Sequence, residues 1–117
     1  MSGARSYHAG LAAEEQVATF YSRSGRSVCA RRWRGSAGEI DLIARDGAEV
    51  IFIEVKQSRT HAQAMDHLTP RQMARIYASA SEFLAGEPRG QLTDVRFDVA
   101  LVDAQGRIEV LENAYAA

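Results

Sequence analysis

Gly38-Glu39-Ile40-Asp41-Leu42-Ile43-Ala44 and Val50-Ile51-Phe52-Ile53-Glu54-Val55-Lys56 flank an Asp46-Gly47 dipeptide. Asp-Gly between two apolar runs of strand length is a strong hairpin signal. The two runs therefore read as neighbouring antiparallel strands, 39–45 and 50–57. Both are apolar enough to be buried, yet both carry charge, and buried charge is costly unless it is paired or binds a metal. Lys56 is also the chain's one lysine; every other basic side chain is an arginine. Two adjacent strands that both carry charge in this way mark a site.

The hairpin register carries the argument further. If Asp46 and Gly47 form the loop, Arg45 faces Ala48, Asp41 faces Phe52 and Glu39 faces Glu54. Glu54 is then the diagonal neighbour of Asp41, roughly 7–8 Å away. A four-residue loop would set Asp41 directly opposite Glu54. In either register alternation puts Glu39, Asp41, Glu54 and Lys56 on one side, and only a bulge would undo this. Carboxylates so close repel and raise one another's pKa, a conflict that a divalent cation resolves. An all-oxygen site with few ligands and room for water suits Mg²⁺ or Mn²⁺. Asp41 and Glu54 are the expected ligands, with Glu39 as a secondary acid. Lys56 would stabilise charge on a phosphate or orient an attacking water. The competing reading is an edge hairpin with a solvated charged face, and Asp followed by Glu-x-Lys does not by itself separate the two.

Working outward, residues 7–24 have helical periodicity. Glu14 shares a face with Gly10, Val17 and Tyr21, Ser6 is the expected N-cap, and Gly25 is the stop. A strand is expected at 27–33 and a polar loop at 58–69. Thr69-Pro70 then opens a second helix, with Met73, Ile76, Tyr77, Ala80, Phe83 and Leu84 facing the core. Strands follow at 95–102 and 107–111. The order α-β-β-β-α-β-β gives an α/β layered fold with a mixed central sheet flanked by helices, and residues 1–117 are expected to form one domain.

Net charge is −1, which does not by itself indicate a nucleic-acid binder. Its distribution is uneven, with basic stretches at 1–35 and 57–80 and acidic ones at 36–56 and 81–117. Arg31, Arg32 and Arg34, interleaved with Trp33, are the pattern of a phosphate-contacting strand with a stacking indole. They fit equally a strand edge with a core tryptophan. Asp98 is expected to pair with Arg96 or another arginine rather than bind metal, and Cys29 to be a small buried residue. A lone cysteine forms no internal disulfide, which fits a reducing cytoplasm. No signal peptide or membrane-spanning run is apparent.

Asp41 followed by Glu54-Val55-Lys56 resembles the metal site of the PD-(D/E)xK nuclease superfamily. More closely, the chain resembles the YraN-like uncharacterised family UPF0102, which is similar to archaeal Holliday-junction resolvases. The resemblance runs through Gly10 to Glu14, Gly38 to Ile43, Phe52 to Lys56, Thr69-Pro70-Arg71-Gln72, Arg96 to Val99 and Glu112-Asn113-Ala114. It implies a restriction-endonuclease-like fold and a metal-dependent DNA endonuclease, with branched or damaged DNA as the substrate class. Glu14 would complete the acid cluster, and Arg32, Arg34, Arg59 and Arg71 would contact nucleic acid. Resolvases of similar fold work as dimers, so a homodimer is compatible with the resemblance. The chain departs from the pattern at Ser58 and Gln72, where the family carries basic residues. Two other functions remain open: a nucleic-acid-binding module that keeps the fold without useful cleavage, and a protein-interaction domain.

Overall fold

The computed structural model describes residues 3–114, with side chains from Gly10 onward. Five strands form one sheet in chain order: β1 (Ser27–Arg34), β2 (Glu39–Asp46), β3 (Glu49–Gln57), β4 (Val95–Val102) and β5 (Ile108–Leu111). All neighbours pair antiparallel except β3 and β4, which run parallel. A parallel pair needs a crossover. Here it is made by α2 (His61–Met65), α3 (Pro70–Leu84) and a 3₁₀ turn at Gly90–Leu92.

Helix α1 (Gly3–Arg23) covers one face of the sheet, where Ala13, Val17, Ala18 and Tyr21 pack on Leu42, Ala44, Ile51, Ile53, Ala100 and Val102. Helices α2 and α3 cover the other, over Ile43, Phe52, Val99 and Leu101. The expected mixed α/β fold is found, with α2 and the 3₁₀ turn added. Helix α2 lies within the stretch expected as a polar loop. Thr60 caps it by accepting from the Gln63 amide, and Ala64 is its one buried residue. A single buried alanine makes no apolar stripe, so periodicity had nothing to register. Helix α1 begins three residues before Ser6, so Ser6 does not start it; the Ser6 side chain lies outside the described residues.

Helix α3 begins as expected, with Thr69 accepting from the Gln72 amide at 3.1 Å and Pro70 at its first position. Its Ser79, fully buried, donates to the Gly38 carbonyl at 2.8 Å. Glu82 accepts from both the amide and the hydroxyl of Ser36 at 2.9 Å. These bonds clamp the β1–β2 turn onto α3. The approach is so close that a Cβ on Gly35 would lie 2.8 Å from Ser79 Oγ and Glu82 Oε2.

Asp98 pairs with Arg96 as expected, at 2.9 and 3.0 Å, and also accepts from Tyr21 Oη at 2.7 Å and the Asn113 amide at 3.0 Å. That network ties α1, β4 and the chain end together. Cys29 is exposed rather than buried. It is the extra residue of a bulge between Val28 and Ala30, which turns it out of the pleat.

A candidate acid site where the sheet forks

The β2–β3 hairpin turns at Gly47-Ala48, with Gly47 left-handed at φ 61°. Arg45 therefore faces Val50, not Ala48, which is the register expected of the four-residue loop. Pairing runs from Asp46–Glu49 to Leu42–Ile53 and ends there. Past that point β2 pairs with β1, through Ile40–Trp33 and Glu39–Arg34. Strand β3 pairs with β4, from Glu54–Val99 to Gln57–Val102. The sheet forks, and Asp41 and Glu54 are the first residues past the last pair, one on each prong. Asp41 Oδ2 accepts from the Val55 amide at 2.8 Å, replacing a main-chain partner that the departing strand no longer offers.

A second irregularity lies at the same level. On β2, Leu42 faces α1 and Ile43 faces α3, yet Ile40 also packs on the α3 side. The alternation slips by one residue at Asp41. Strand β1 slips beside it: Arg31 reaches Glu15 on α1, while Trp33 packs edge-on to Phe83 on the α3 side, centroids 5.5 Å apart. Between them Arg32 has φ 49°, a left-handed backbone uncommon for residues other than glycine.

This slip alters the expected facing. Strand β3 keeps its alternation, so Glu54 and Lys56 lie on the α3 side with Phe52. Glu39, adjacent to Ile40, falls on the α1 side. There it accepts from Arg34 Nη2 at 3.3 Å and adds to the negative surroundings of Glu14. The acids are gathered by the fork rather than by a shared face.

Glu54 is 5 % exposed. Gln72 Nε2 donates to its Oε2 at 2.7 Å. Burial, then a hydrogen bond and repulsion from Asp41, push its carboxyl up to about 10, with Glu14 adding and Lys56 opposing. Glu14 of α1 is largely buried, and burial likewise raises its pKa, with Asp41 and Glu39 adding to the rise. Arg32 opposes this by donating from Nε to Glu14 Oε1 at 3.0 Å and from Nη2 to Oε2 at 3.5 Å. Thus α1, β2 and β3 each deliver one acid to the fork, and Lys56 stands beside them, half-buried.

Among the described residues no three His, Cys, Asp or Glu side chains are set to hold one metal ion between them. The arrangement is a carboxyl pair, buried Glu54 beside half-buried Asp41, with Glu14 engaged by Arg32. That donor set fits Mg²⁺ or Mn²⁺ bound through two carboxylates with water completing the shell. Of the expected nucleic-acid contacts, Arg34 is exposed and reaches Glu39, while Arg32 is turned inward to Glu14. Arg59 and Arg71 are exposed and form no ion pair among the described residues. Gln72, first read only as a departure in charge, is a contact of Glu54. Its spacing from Ile76, one helical turn on and buried, already points it at the sheet.

The fold and site describe a mixed α/β protein with an acid pair, one member buried, at a fork in its sheet. The chain belongs to the uncharacterised protein family UPF0102, whose sequence model matches residues 13–102. It is 73% identical over 117 residues to a UPF0102 protein of Cereibacter sphaeroides strain KD131, covering 100% of both chains. It is 59% identical over 113 residues to one of Ruegeria pomeroyi, covering 97% of this chain and 92% of that one. A third, from Dinoroseobacter shibae, is 43% identical over 111 residues, covering 95% and 83%. No helix among the described residues is long and apolar enough to cross a membrane.

Proposed function

We propose that the protein is a metal-dependent DNA endonuclease of the PD-(D/E)xK type, acting on branched or damaged DNA as a cytoplasmic enzyme. The observation that carries this reading is the Asp41–Glu54 pair. Two acids set side by side, one of them buried and held far above its ordinary pKa, weaken the fold and give no packing in return. A divalent cation between them turns that cost into binding. Asp41 and Glu54 would hold Mg²⁺ or Mn²⁺, which when bound neutralises phosphate charge and lowers the pKa of a bound water.

The chain's own residues supply the rest. Gln72 fixes the Glu54 carboxyl through Oε2. The Val55 amide fixes Asp41. Lys56 has no ion pair among the described residues, so its ammonium is available to the charge that develops on a phosphate oxygen. Water attacks phosphorus, forming the new P–O bond as the bond to a sugar oxygen breaks. Exposed Arg59, Arg71 and Arg34 would contact the backbone of the DNA. A homodimer would present two such sites.

The reading is tested by incubating the protein with linear, nicked, flapped and four-way DNA, with Mg²⁺, Mn²⁺ or a chelator. Metal-dependent cutting of any of these supports it. A second reading, nucleic-acid binding without cleavage, draws on the engagement of Glu14 by Arg32. Salt-sensitive binding with no cutting on any substrate would select it.

A further inference from the structure

We propose that Arg32 is a latch on the third acid of this site: it holds Glu14 away from Asp41 and Glu54, and must release it before Glu14 can join them on a divalent cation. The inference rests on the metal-site reading above and goes beyond it by giving Arg32 a positioning role that its strand position does not require.

Three observations converge on this residue. The first is its contact. Arg32 engages both oxygens of Glu14, at 3.0 and 3.5 Å, and the two side chains are only 34% and 16% exposed. A shielded, two-point guanidinium–carboxylate contact holds its partner more firmly than a surface pair does.

The second is its backbone. Arg32 sits at the slip in β1 with φ 49°, between the regular pairs Arg31–Leu42 and Trp33–Ile40. Strained non-glycine positions persist where their surroundings impose them, and they cluster at functional sites. A regular strand at this level would alternate from Arg31 to Trp33 without a break. The register already sets Arg32 opposite Asp41; the slip turns its side chain to reach α1.

The third is charge. Ala13, Val17, Ala18 and Tyr21 dock α1 onto the sheet without Arg32. The Arg32–Glu14 pair sets the field at Glu14, which Asp41 and Glu39 make more negative. The Arg32 guanidinium offsets that repulsion at Glu14. A divalent cation offsets it for Glu14, Asp41 and Glu54 together. Arg32 and the cation therefore compete for one carboxylate.

The test is calorimetric titration of Mn²⁺ into the folded protein without DNA. Asparagine tolerates the left-handed backbone, so Arg32→Asn removes the latch while keeping the turn. Its affinity for Mn²⁺ is expected to be roughly fivefold to tenfold tighter than wild type. In a Glu14→Gln background the same Arg32→Asn change should leave affinity unaltered, because nothing remains to be released. Equal tightening in both backgrounds would mean that Arg32 acts only as a distant positive charge, and would overturn the latch. Unchanged or weaker binding by Arg32→Asn, with wild type binding normally, would overturn the latch and leave the Asp41–Glu54 site standing. Absence of Mn²⁺ binding by wild type would defeat both. If Arg32→Asn does not fold by circular dichroism, Arg32→Gly carries the same comparison, since glycine adopts this backbone freely.

Discussion

Lys56 follows Glu54 by two residues on β3, and its ammonium lacks an ion pair among the described residues. In a chain that otherwise uses arginine for every positive charge, a merely electrostatic position would have accepted arginine. A compact ammonium is what the proposed chemistry uses, because it can approach a single phosphate oxygen or water. Lys56→Ala should lower single-turnover cleavage at saturating metal by on the order of 10²–10³, with metal affinity retained. Lys56→Arg should rescue only in part. Near wild-type cutting by a well-folded Lys56→Ala would remove Lys56 from the chemistry. Glu54 gives a second residue-scale test through pH. Its carboxyl titrates near 4.5 when unfolded and is pushed up to about 10 when folded. Between those values the native state binds the extra proton, so its stability is greatest below the lower one and falls as pH rises toward the upper. The slope is at most about 1.4 kcal/mol per pH unit for one proton. Urea unfolding in a chelator should show wild type losing stability from pH 5 to pH 9, and Glu54→Gln losing less. Parallel profiles for the two proteins would mean that Glu54 is not held protonated.

At the scale of elements, α3 reaches the fork through its first turn. The Thr69 cap fixes the Gln72 amide, and the Gln72 side chain then fixes Glu54. Thr69→Ala should cost about 1 kcal/mol of stability by chemical denaturation. A loss near zero would show that tertiary contacts, not the cap, start the helix. This cap was legible in Thr69-Pro70, just as the apolar spacing of Ile76, Ala80 and Leu84 was, because each is a local signal. The strands were legible to within a residue or so for the same reason. The register was less so. Asp46-Gly47 reads as the loop, yet the pair that turns is Gly47-Ala48, since either dipeptide places a glycine where φ must be positive. The slip at Arg32 and Asp41 left no trace in the sequence, because a pleat change is imposed by how two strands part, not by residue type. Strict alternation consequently put Glu39 with Glu54, whereas the fork sends Glu39 to the α1 side. Gln72 was visible as a departure in charge, while its hydrogen bond depends on how α3 lies across the sheet.

Across the whole molecule the sheet is joined from Asp46–Glu49 to Leu42–Ile53 and forks beyond it, with β1 and β2 on one prong and β3, β4 and β5 on the other. Helices on both faces span the fork: α1 packs on Leu42, Ile53 and Ala100, and α3 on Ile40, Ile43 and Phe52. The fork is thus held open within a packed structure, and burial, with Asp41 across the fork, keeps Glu54 protonated. If a cation binds Asp41 and Glu54 as proposed, metal binding and global stability would be coupled. A ligand that binds only the native state raises its stability by RT ln(1 + [L]/Kd), about 2.7 kcal/mol at a hundredfold excess over Kd. Asp41→Asn tests the coupling with little steric change, because the amide oxygen can still accept from Val55. In a chelator the variant lacks the Asp41 charge that adds to burial in raising the Glu54 pKa, so its stability should fall less than that of wild type as pH rises from 5 to 9. On adding Mg²⁺ or Mn²⁺ wild type should gain stability with metal concentration, and Asp41→Asn should gain little. Melting curves across a metal titration read that difference directly. Equal response of the two proteins to metal would show that the cation binds elsewhere, and the acid pair at the fork would then need another explanation.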